Sequence, residues 1–158
     1  MRQIKEGITI AVSRDAVWAV LENFGDVASW APYMRRSALI GKQKTGVGTR
    51  RKLLHAWGFR LEERVTGWID GRGFSFDVNR APYPMKDVRE AWVLEQDKNQ
   101  TLIGTSVEYD MHLGFIGGLL DKILVQFIVR REMRTGLRGL KNYLERQAGR
   151  YELLEENT

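Results

Sequence analysis

Glu63 is the residue of this chain whose setting most plainly asks for chemistry. In the segment Phe59–Ile69 one parity reads Phe59, Leu61, Val65 and Ile69, and Glu63 shares it. Side chains alternate across a strand, so Glu63 faces the same way as its apolar neighbours. A carboxylate placed there is costly unless it meets a cation or holds its proton at a raised pKa. The first case is an internal ion pair with Arg51 or Arg80, both expected on adjacent strands; the second is a functional acid or base. Three other segments supply inward sets of the same kind. Ile103, Thr105, Val107, Tyr109, Met111 and Leu113 form one, Phe74, Phe76 and Val78 continue to Arg80 in another, and Val88, Glu90, Trp92 and Leu94 make the last. Tyr109 reads either as a core tyrosine with a tied hydroxyl or as a donor to a ligand. The pocket so described is aromatic and aliphatic, with Glu63, Arg80, Glu90, Thr105 and Tyr109 as polar handles, which suits a largely apolar ligand.

Other chemistries are excluded by what is missing. The 158 residues contain no cysteine and two histidines, which removes disulfides, thiol nucleophiles and any thiolate or multi-histidine metal site. No metal and no cofactor is expected. There is no Gly-x-Ser-x-Gly elbow, and neither His55 nor His112 stands at a nucleophile–base spacing, which argues against a serine hydrolase. His55 shares parity with Leu53 and Arg51 and reads as a satisfied, partly buried histidine. The stretch Gly46 to Arg51, GVGTRR, lacks the Lys-Ser/Thr of a phosphate loop and runs into a strand, so it is read as a tight turn.

A net charge of +5 leaves anionic partners open. Arg130, Arg134, Arg138 and Lys141 recur at i, i+4, i+8 and i+11, one stripe of a helix. That stripe is either a solvated face or a docking surface for an anionic membrane or RNA. The basic clusters Arg35-Arg36 and Arg50 to Lys52 lie in β segments without the aromatic spacing of an RNA-binding sheet, which argues against nucleic acid. The first residues, Met1 to Glu6, go straight into alternation with no apolar signal region, and no stretch reaches the ~20 residues of a membrane span. A cytoplasmic protein is expected.

The elements that must position these residues follow from periodicity. Ile4, Ile8, Ile10 and Val12 mark a first strand; Ser13 then caps a helix in which Val17, Val20, Leu21 and Phe24 recur at helical spacing. A second short helix covers Asp26 to Trp30 and stops before Pro32. Strand-like segments follow at 36–42, 49–56, 59–70, 73–80, 87–96 and 102–113, joined by hairpin-length turns, which predicts an antiparallel sheet of about seven strands. From Leu119 to about Gln147 the period is helical again, with Leu120, Ile123, Leu124 and Phe127 followed by Met133, Leu137, Leu140 and Leu144. At 1.5 Å per residue that is about 43 Å of helix, enough to cross a domain of this size. The stripe rotates near Arg130–Arg134, which predicts a bend or a change of packing partner. One domain over 1–151 is expected, with a frayed tail over 152–158.

That order resembles the helix-grip fold of the START and birch-pollen-allergen superfamily. Within it the chain is most similar to the polyketide cyclase/dehydrase and lipid-transport family. The likeness rests on ITIAVSRDAVWAVLENFGDVASWAPY from Ile8 to Tyr33, GVGTRR from Gly46, LEERVTGWI from Leu61 to Ile69, and GLRGLKNYLE from Gly136 to Glu145. It implies an α+β fold, a curved antiparallel sheet around a long C-terminal helix, with a cavity between them. It also implies that Trp30, Tyr33 and Met34 stand where such cavities open.

Three functions are then weighed. The first is a binding module holding a hydrophobic or amphipathic small molecule such as a lipid, isoprenoid or polyketide-like compound. Its contacts would be Tyr33, Phe59, Leu61, Glu63, Phe76, Arg80, Trp92, Thr105, Tyr109, Met111, Ile123 and Phe127. The second is an aromatase/cyclase-like enzyme that uses Glu63, Tyr109 and Arg80 as acid/base and carbonyl-polarising groups. The third is a partner-binding protein that uses the basic helix face.

Overall fold

The computed structural model describes residues 1–112, 119 and 121–155. Seven strands alternate with hairpin turns after a short helical insertion, as the periodicity requires. They are β1 (Arg2–Ile10), β2 (Met34–Ile40), β3 (Arg50–His55), β4 (Arg60–Ile69), β5 (Gly73–Asn79), β6 (Met85–Asp97) and β7 (Gln100–Met111). They form one curved antiparallel sheet in the order β1-β7-β6-β5-β4-β3-β2. Only β1 pairs out of sequence order, because the insertion carries the chain from one edge of the sheet to the other. This is the helix-grip architecture.

The insertion holds α1 (Arg14–Leu21) and a 3₁₀ segment, Phe24–Ser29. Ser13 caps α1 as its position suggested, its hydroxyl accepting the Ala16 N–H at 3.2 Å. Val17, Trp18 and Leu21 bury the inner face of the helix. The second short helix takes 3₁₀ form and ends at Ser29, with Trp30 as its C-cap two residues before Pro32.

The C-terminal helix differs from its expected bounds at both ends. A π-helical turn, Asp121–Val125, precedes α2 (Gln126–Glu155), so the regular helix starts later than Leu119 and runs eight residues past Gln147. It takes in the first four residues of the segment 152–158 expected to fray, while 156–158 lie outside the described residues. The change of packing partner falls between Met133 and Leu137. Val125, Val129 and Met133 join a cluster with Ile4, Val88, Val107, Tyr109 and Met111, whereas Leu137, Leu140 and Leu144 join the main core with Trp18, Phe24, Phe74, Phe76 and Trp92.

Two glycines let α2 approach the loop after the 3₁₀ segment. A Cβ on Gly139 would lie 2.2 Å from the Trp30 carbonyl oxygen and 2.7 Å from Pro32 Cδ, and one on Gly136 would lie 2.7 Å from the Tyr33 hydroxyl. Each glycine weakens a helix by about 1 kcal/mol relative to alanine, so their presence here is explained by the close packing they permit. Gly149, in the same helix, has open space around it. Gly149→Ala is therefore expected to stabilise the protein by about 0.5–1 kcal/mol. Gly139→Ala is expected to destabilise it by about 1–3 kcal/mol, because backbone and a proline ring must shift. Urea denaturation of the two variants reads the opposite signs.

Candidate functional site

The sheet, the insertion and α2 enclose a cavity of about 160 Å³. Strand alternation aims β3, β4, β5 and β6 side chains into it. The insertion adds Trp30 and Tyr33, and α2 adds Ile128, Val129, Glu132 and Met133. Trp57 and Phe59 line it too and are exposed, so the cavity meets solvent between the β3–β4 turn and α2.

Its floor is an ion pair. Arg51 and Glu63 stand directly opposite each other on β3 and β4, only 6% and 5% exposed. Arg51 donates from Nε and Nη2 to Glu63 Oε2, each at 2.5 Å, and from Nη1 to the Phe24 carbonyl at 2.7 Å. The guanidinium also lies 3.8 Å above the Phe24 ring. Burial raises the Glu63 carboxyl above the ordinary carboxylate range, and the charge and hydrogen bond of Arg51 oppose that rise. Glu63 is thus the ion-pair alternative, with Arg51 and not Arg80 as its partner.

Glu90 is the carboxylate with freedom to act. It faces the cavity from β6, one strand beyond β5, and its Oε1 accepts the Trp92 indole N–H at 2.6 Å and the Thr105 hydroxyl at 3.5 Å. Burial pushes it up to about 7; the Glu63 charge adds to the rise, and the Trp92 hydrogen bond, Arg51 and Thr105 work against it. A carboxyl titrating near neutrality can take or give a proton at physiological pH. Sequence parity had already put Glu90 among the polar handles, but nothing local ranked it above Glu63.

A second polar pair stands at the mouth. His55 Nδ1 accepts the Trp57 backbone N–H at 3.1 Å. Its Nε2 lies 3.1 Å from Glu132 Oε1 on α2, close enough to oppose the burial that raises that carboxyl. The His55 ring stacks on Tyr33 and touches Phe59 and Trp57. Burial raises both the Glu132 carboxyl and the Tyr33 phenol; Tyr33 also lies in the field of Glu90, Glu132 and Glu63. Glu132 falls three residues after Val129 and shares its face, a signal present in the sequence.

The expected site residues divide in two. Tyr33, Phe59, Leu61, Glu63, Phe76 and Trp92 line the cavity, with Thr105 bonded to Glu90 at its edge. Tyr109 and Met111 point to the correct face but lie farther along β7, packed in the cluster around Ile4 and Val125. Arg80 lies just beyond β5 with φ 60°, which breaks the alternation that would have turned it inward; it borders surface clefts instead. Ile123 and Phe127 are 69% and 64% exposed. The π turn resets the helical phase, so Val125 and Val129 take the inward positions in their place. The proposed catalytic trio of Glu63, Tyr109 and Arg80 is therefore not brought together.

On the basic stripe, Arg130 and Arg134 donate to Glu6 of β1 at 3.0 and 2.9 Å, and Lys141 lies 3.8 Å from Glu145. Arg138 is exposed. Among the described residues no cluster of His, Asp or Glu could hold a metal ion, and no helix is long and apolar enough to cross a membrane.

Comparison with known folds places the chain among proteins of this architecture. A START superfamily protein from Mycobacterium smegmatis superposes with a TM-score of 0.74 at 9% identity, covering 92% of this chain and 98% of that one. Ara h 8.0201 gives 0.71 at 15%, covering 90% and 97%. The di-domain ARO/CYC BexL from the BE-7585A biosynthetic pathway gives 0.76 at 15%, covering 92% of this chain and 47% of that one. The family is defined by sequence: residues 1–145 match the model described as polyketide cyclase/dehydrase and lipid transport, and the chain belongs to that family. No curated protein matches it.

Two substitutions separate the carboxylates of Glu63 and Glu90. Glu63→Gln leaves Arg51 without its counter-charge and is expected to cost about 3–5 kcal/mol in urea denaturation. Glu90 should behave oppositely. Its folded-state value lies above the ordinary 4.5, so the stability linked to its proton is full below about pH 4.5 and is lost as pH rises through 7. A shift of that size corresponds to at most about 3 kcal/mol. Glu90→Gln is expected to be more stable than the parent at pH 8, by about 1–3 kcal/mol, and nearly equal to it at pH 4.

Proposed function

We propose that this protein binds a small, largely apolar molecule in the cavity between the sheet and α2. The observation that carries this reading is a cavity walled by Trp30, Tyr33, Phe59, Phe76 and Trp92, with a few placed polar groups, in a family that includes lipid transport. The volume limits the ligand. About 160 Å³ is close to the ~150 Å³ of an engineered cavity that holds benzene, and below the ~300–1,000 Å³ common for larger ligands. A single ring fits the space as it stands. A long lipid or polyketide-like chain would have to extend through the mouth beside Trp57 and Phe59.

An acid/base enzyme is the second reading, and Glu90 is the observation that favours it. It would be the proton-transfer group, held by Trp92 and Thr105 and tuned to about 7. The trio of Glu63, Tyr109 and Arg80 gives it no support.

Toluene is a suitable neutral probe of the first reading. Saturation-transfer NMR is expected to detect its binding, and Val129→Phe, which fills the space from α2, is expected to weaken it at least about tenfold. Equal binding to the Val129→Phe protein, or none to the parent, would count against this cavity as a ligand site.

A further inference from the structure

The charges that face the cavity are unbalanced. Among the described residues its wall carries three carboxylates, Glu63, Glu90 and Glu132, against one guanidinium, Arg51. Arg51 is matched by Glu63 at 2.5 Å, which leaves Glu90 and Glu132. His55 lies 3.1 Å from Glu132 and opposes the rise of its carboxyl, so Glu90 is the carboxylate left without a paired cation. In a chain of net charge +5, the wall of this cavity is acidic.

Glu90 is also incompletely used. Both hydrogen bonds it accepts end on Oε1, and among the described residues none ends on Oε2. Around it stand aromatic rings, whose faces attract cations. The wall already holds one cation in this way: Arg51 lies over Phe24 and 5.3 Å from the Phe76 ring centre while paired to Glu63. A ligand carboxylate would instead meet Glu63 and Glu90 in a medium that screens charge poorly.

Resting on the ligand-binding reading above, we propose that Glu90 anchors the polar end of the ligand, and that the cavity selects a ring-sized apolar body carrying a protonated amine over a carboxylate of the same shape. The charged and titratable groups facing Glu90 are Arg51 and His55 on β3, Glu63 on β4, Glu132 on α2 and Tyr33 ahead of β2. An arriving ammonium favours the ionised form of Glu90, which otherwise titrates near 7, so binding at neutral pH releases a proton. Affinity for an amine then rises as pH increases from 6 to 8. A ligand held by the protonated carboxyl, such as a neutral carbonyl compound, would show the reverse.

The test is calorimetric titration with benzylamine, benzyl alcohol and benzoate at pH 6, 7 and 8, in two buffers of different ionisation enthalpy. The expected result is benzylamine binding about tenfold or more tighter than either analogue at pH 8, with proton release at pH 7. Glu90→Gln is expected to abolish both the preference and the proton release while still binding benzyl alcohol. Glu132→Gln, which removes the carboxylate beside His55, is expected to leave the proton release intact. The proposal is overturned by equal or tighter benzoate binding, by amine affinity falling from pH 6 to 8, or by a preference that survives Glu90→Gln. Benzyl alcohol binding without amine preference would sink this inference alone; failure of all three probes and of toluene would sink the ligand-binding reading with it.

Discussion

The interaction on which the site depends is the buried pair of Arg51 and Glu63. It fixes β3 against β4 at a point where the two residues are directly opposite, and through the Phe24 carbonyl it ties both strands to the 3₁₀ segment. The flat guanidinium, stacked on Phe24, forms part of the cavity floor. Two buried charges at that position are hard to justify on stability alone, since a well-packed apolar pair often serves as well. Their effect on Glu90 is a second consequence. The Glu63 charge reinforces the burial that lifts Glu90, while Arg51 opposes it, so the floor of the cavity tunes the Glu90 carboxyl above it.

Strand alternation is strict and local, which is why it could be read from the chain. It placed Leu61, Glu63, Phe76, Glu90 and Trp92 on one face, and the structure gathers them around one space. Alternation says which face a residue takes, not how far along the strand the cavity extends. Tyr109 and Met111 have the predicted orientation, yet they pack beyond the cavity against Ile4 and Val125. Arg80 shows the other limit, since its parity was carried one residue past the end of β5, where the backbone turns left-handed.

The helix was legible in existence and not in phase. Leu120, Ile123, Leu124 and Phe127 carry the stronger apolar signal, and a π turn is invisible to a search at 3.6 residues per turn. The inward face fell instead to Val125 and Val129, and with them came Glu132, which meets His55 across the mouth. That contact joins residues distant in sequence, so only the packed fold reveals it. The family assignment covers residues 1–145 and carries the fold, while the cavity's small volume and acidic wall belong to this chain's own side chains.

The central claim is that the space around Glu90 is where a ligand sits, and the tryptophan indole N–H signals in a ¹H–¹⁵N spectrum test it most directly. Five tryptophans are present; Trp30, Trp57 and Trp92 line the cavity, while Trp18 and Trp68 pack in the main core apart from it. The Trp92 signal, bonded to Glu90, is predicted to titrate with a midpoint near pH 7 and to move together with Trp30 when benzyl alcohol is added. The signals of Trp18 and Trp68 should hold nearly still. A Trp92 signal indifferent to both pH and ligand, or shifts confined to Trp18 and Trp68, would contradict the account.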